Sequence, residues 1–121
     1  MLVEHFFNFL EINMVFRTHG RTALNQHFND SVKATVWNKG QTVAGHNPTQ
    51  IRKDACGALI AWNQYGVTSE NGLGWEIDHI QPVAKGGTDV LSNLQPLQWQ
   101  NNRTKSDSAP SQWTCAVFAR I

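Results

Sequence analysis

The chain has 121 residues, 40% apolar and 16% charged, which points to one ordered domain with a modest core and excludes a disordered chain or two separate cores. Ten Lys/Arg against nine Asp/Glu leave a net charge of +1, too small an excess for a protein that coats nucleic acid without regard to sequence. That balance still leaves room for a local basic edge.

In chain order, Met1 to Phe16 comes first, with Leu2, Phe6, Phe9 and Leu10 on one helical face and Glu4, His5, Asn8, Glu11 and Asn13 interrupting the apolar run. It falls far short of the ~20 unbroken apolar residues of a membrane span. It also lacks the basic leader and small-residue cleavage site of a secretory signal. Residues 1–30 therefore read as a helical extension that packs on the domain or pairs two copies into a homodimer, in a cytoplasmic protein with no membrane partner. Ser31 to Gly40 reads as a half-buried strand, on its β-branched residues and alternating polarity. Asn47-Pro48 signals a helix start, with Ile51 and Ala55 inward and Gly57 as the stop.

Strands are expected at Ala58–Trp62, Trp75–Pro82 and Leu94–Leu97, with Pro96 placing the last of them at an edge. Lys85-Gly86-Gly87-Thr88 is a loop, Trp99–Lys105 a helix, and Trp113–Ala119 a closing strand. Cys56 and Cys115 are far apart and belong to no C-x-x-C pair, so two reduced, buried thiols are expected rather than a disulfide. The five tryptophans are read as core. Residues 31–121 form the main domain, of α+β class.

Chemistry concentrates between Glu76 and Asp107. Asp78 and His79 are adjacent near a strand end, where a carboxylate suits a hard divalent cation and an imidazole can take a proton from water at neutral pH. A helix following the hairpin would turn Asn101 or Asn102 back toward them, offering an amide oxygen to the same cation. Glu76 shares the strand face of Asp78 and is a weaker acidic candidate. Arg103 and Lys105 lie close enough to touch phosphate, as does Lys85 in the loop. The other histidines, His5, His19, His27 and His46, have no partner pattern.

The order D-H-I-x-P, G-G-x-D, N-L-Q and N-x-x-K across about residues 75–107 resembles the HNH endonucleases. The resemblance implies a ββα-metal core, a hairpin plus one helix around a single cation, with additional short strands and helices. It implies His79 as general base, Asp78 and Asn102 as metal ligands, and Asn93 as the residue that pins the loop and orients the base. The implied cofactor is one divalent cation, Mg²⁺ first and Mn²⁺ next, because an amide oxygen replaces an imidazole nitrogen at Asn102. The implied substrate is DNA, held in a pocket wide enough for a scissile phosphate and contacted by Arg103, Lys105 and Lys85. Near-neutral charge favours a protein partner that supplies specificity; a catalytically silent binding module is the competing expectation.

Overall fold

The computed structural model describes residues 17–70 and 72–118, so the helix expected over residues 1–16 lies outside the described residues. Residues 17–28 form turns and extended chain with no helix.

Asn29 then opens a helix, α1 (Asp30–Trp37), its side chain accepting the Val32 N–H at 2.8 Å and Asp30 standing in the first turn. This is where a strand was expected. The cap and the Val32, Val36, Trp37 face, at helical spacing, outweigh a short stretch of alternation.

The helix expected after Asn47-Pro48 is a single turn. Asn47 accepts the Thr49 and Gln50 N–H groups, and the chain passes directly into β1 (Ile51–Lys53). β1 pairs antiparallel with β2 (Leu59–Ala61), Arg52 opposite Ile60. The turn between them wraps Asp54, a carboxylate 1% exposed. Its Oδ1 accepts from Cys56 N and Ala58 N, and its Oδ2 from Gln98 N and Asn101 Nδ2, all at 2.9–3.0 Å.

The second sheet is the hairpin of β3 (Trp75–His79) and β4 (Leu94–Gln98), in register from Trp75 opposite Gln98 to His79 opposite Leu94. Pro96 is tolerated because, among the described residues, this sheet has two strands and β4 lies at its edge. Gln98 caps α2 (Trp99–Lys105), its Oε1 accepting from Gln100 N and Asn101 N. The hairpin-plus-helix expected over 75–107 is thus present within an α+β fold of two helices and two small antiparallel sheets among the described residues.

Val36, Trp37, Ile60, Trp75, Ile77 and Leu94 form the core. Trp37 lies 5.1 Å and Trp62 6.0 Å from the Trp75 ring, while Trp62, Trp99 and Trp113 are only half-buried, not full core.

The closing strand is absent from residues 113–118. Asn101 takes the place of a pairing strand: its Oδ1 accepts from Ala116 N and Val117 N, and its Nδ2 donates to Val117 O. This tether carries Cys115 onto the Asp54 turn, where it forms a disulfide with Cys56 across a Cα–Cα distance of 5.9 Å. The expectation of two reduced thiols is corrected. Their meeting depends on a tertiary contact that spacing does not encode. The bond closes a loop of 59 residues, so the Cys56→Ala/Cys115→Ala protein is expected to lose about 2–4 kcal/mol in urea titration. An unchanged midpoint would show that the bond adds nothing to the fold.

Candidate active site

Asp78 and His79 are the last two residues of β3, both buried, at 5% and 4% exposure. Asp78 sits opposite Gln95 in the hairpin, and that side chain donates to Asp78 Oδ2 at 3.0 Å. The Lys105 ammonium lies 3.2 Å from Asp78 Oδ1 and donates to the His79 carbonyl at 2.8 Å. Burial pushes the Asp78 carboxyl above its ordinary range, while the Gln95 hydrogen bond, the Lys105 charge and bond, and His79 pull it down. A cation held at that carboxylate would compete with a proton for it, so its affinity would weaken toward acid pH.

Asn102 projects from α2 toward the same place. Its Nδ2 donates to Glu76 Oε1 at 2.9 Å, which fixes the amide because a carboxylate only accepts. Asn102 Oδ1 is left without a hydrogen-bond partner among the described residues, and Asp78, His79 and Asn102 line one cavity of about 20 Å³. A carboxylate and an unpartnered amide oxygen on one cavity wall fit a hard cation that takes its remaining ligands from water and phosphate. Among the described residues no group of three or more His, Cys, Asp or Glu gathers as a metal cluster, which sets this donor set apart from a zinc cage.

The width expected of the pocket is not found. The cavity holds about one water-sized body, less than a phosphate. Residues 17–28 build part of its wall. Arg17, His19 and Gly20 line the cavity, the Phe28 ring stands 6.0 Å from the His79 ring, and Ala23 N donates to the Asp89 carboxylate. His79 Nε2 itself lies 2.7 Å from Asp89 Oδ1.

Asn93 ends the 3₁₀ turn Leu91–Asn93 and clamps the loop after β3. Its Oδ1 accepts from Gln81 N at 2.8 Å, and its Nδ2 donates to Gln81 O and Thr88 O at 3.1 and 2.8 Å. Tight backbone is needed here, since a Cβ on Gly87 would fall 1.7 Å from Gln81 O.

The three expected phosphate contacts divide. Lys85 is exposed and Arg103 is on the surface, though its guanidinium pairs with Glu76 at 3.1 Å. Lys105 is fully buried, so it is corrected from a DNA-contacting side chain to the internal partner of Asp78. Glu76 acts on Asn102 and Arg103 instead of standing as a free acid.

Asp89, Gln95 and Asp54 were given no role from the sequence. Gln95 was legible in principle, as the residue that hairpin register sets opposite Asp78. Asp89 stood in the G-G-x-D loop without an assigned function.

No curated protein and no solved structure matches the chain. Residues 56–108 match the family model of the HNH endonuclease, and these are the residues that build β2, the hairpin and α2. Motif order, hairpin-plus-helix geometry and family match agree, and residues 56–108 are similar to the HNH endonuclease family.

Proposed function

We propose that the protein is a metal-dependent endonuclease that hydrolyses DNA phosphodiester bonds, with His79 as general base and one divalent cation, Mg²⁺ or else Mn²⁺, held by Asp78 and Asn102. The observation that carries this reading is the shared cavity of Asp78, His79 and Asn102, with the Asn102 amide turned by Glu76 so that its oxygen stays available. The cation, when bound, neutralises charge on the phosphate and the departing 3′ oxygen. His79 takes the proton of the attacking water. Asn93 holds the loop beside it, Lys105 balances Asp78 from inside, and Lys85 and Arg103 are the basic side chains on the substrate side.

Burial of His79 beneath residues 17–28 favours the form of this reading in which a partner protein or the DNA itself opens the site. Among the described residues no helix is long and apolar enough to cross a membrane. A disulfide between Cys56 and Cys115 belongs with oxidising surroundings more than with a reducing cytosol, which weighs against the cytoplasmic expectation.

Supercoiled plasmid is expected to be cut in Mg²⁺ and in Mn²⁺, to survive intact in EDTA, and to be cut again when Mg²⁺ is added in excess. Cleavage of equal rate in EDTA would remove the metal from the proposal.

A further inference from the structure

We propose that Asp89 is the positioning residue of the base: its carboxylate holds the His79 imidazole through Nε2 and is itself held by the Ala23 N–H. The inference rests on the nuclease reading of His79. Three distances carry it. His79 Nε2 is 2.7 Å from Asp89 Oδ1, and Ala23 N lies 3.0 Å from Oδ1 and 3.2 Å from Oδ2.

An ionised carboxylate accepts and cannot donate, so Nε2 carries the proton and the neutral ring keeps its lone pair on Nδ1. Nδ1 has no hydrogen-bond partner among the described residues, and His79 lines the cavity it shares with Asp78 and Asn102. The ring is therefore oriented with its accepting nitrogen free to receive a proton from water. The carboxylate lies ten residues beyond His79, past the turn that Asn93 clamps, so the loop geometry sets the ring geometry.

The Ala23 contact adds a second consequence. One carboxylate touches both the base and the segment that crosses it, so a shift of residues 17–28 is felt at the imidazole without passing through the metal ligands.

The test reads the ring directly. In ¹⁵N spectra of the imidazole, wild-type neutral His79 is expected to show a protonated Nε2 and a bare Nδ1. Asp89→Ala should give a mixture of tautomers and a kcat about 10–100-fold lower, with KM little changed, the range seen when the outer partner of a functional histidine is lost. Asp89→Asn retains an acceptor oxygen and should keep the Nε2–H form and most of the rate. Asp89 is partly exposed, with 40% of its side chain open, so both variants should fold. An Asp89→Ala protein with wild-type tautomer and kcat would overturn the proposal, as would a wild-type ring protonated on Nδ1. The spectrum is recorded without cleavage, so an inactive protein with the expected tautomer counts against the nuclease reading and for the Asp89 contact.

Discussion

His79→Ala is expected to slow DNA cleavage by about 10²–10⁴-fold at saturating Mg²⁺, the usual worth of a positioned general base, while the protein stays folded. The fold should tolerate the change because the backbone of His79 carries its structural duties. Its carbonyl accepts from Lys105, and its strand pairing with Leu94 is a main-chain matter. The side chain gives up its packing against the Phe28 ring and its hydrogen bond with Asp89. Asp78→Ala is a poorer probe, since it would leave the Lys105 ammonium buried without its counter-charge as well as removing the proposed metal ligand. Single-turnover rates on a labelled duplex, with circular dichroism as the control, measure the effect. A folded His79→Ala protein within threefold or so of wild type would end the assignment of His79 as base.

The second large effect is expected on stability. Asp54→Ala should cost about 4 kcal/mol or more in urea titration, because buried donors on Ala58, Gln98 and Asn101 lose their acceptor together. That is a large part of what a domain of this size has to lose. The damage should reach the active site as well, since Gln98 and Asn101 start the helix that carries Asn102. Asn101 also tethers the segment bearing Cys115. Asp54→Asn keeps one accepting oxygen and is expected to fall between the two. A loss below about 1 kcal/mol for Asp54→Ala would show that water replaces the carboxylate at no great cost.

The candidate-site strand, its partner and the following helix were readable because each carries local signals that agree: alternation, a turn with two glycines, and a stop at Ser106-Asp107-Ser108 and Pro110. The family resemblance added the roles. What stayed hidden depends on contacts between distant parts of the chain. α1 was mistaken for a strand because its Asn29 cap lies just outside the alternating stretch. The closing strand was predicted from a pattern whose backbone partner turned out to be a side chain, Asn101. The disulfide, the burial of Lys105 and the Asp89–His79 contact each join residues that no spacing rule pairs. Lys105 shows the problem most plainly. At the last turn of a polar helix a lysine usually faces water, and only the carboxylate of Asp78 and the carbonyl of His79 explain why this one does not.

The stretch from Arg17 to Phe28 has a kinetic meaning. On the proposed nuclease reading, that stretch stands in the way of a duplex, because the Phe28 ring lies 6.0 Å from the His79 ring and Arg17, His19 and Gly20 line the cavity. On that reading turnover would divide into an opening step and a cutting step, with the slower of the two setting the observed rate. An enzyme arranged this way would rest shut, its idle rate on bystander DNA held down by the fraction of time that roof spends raised.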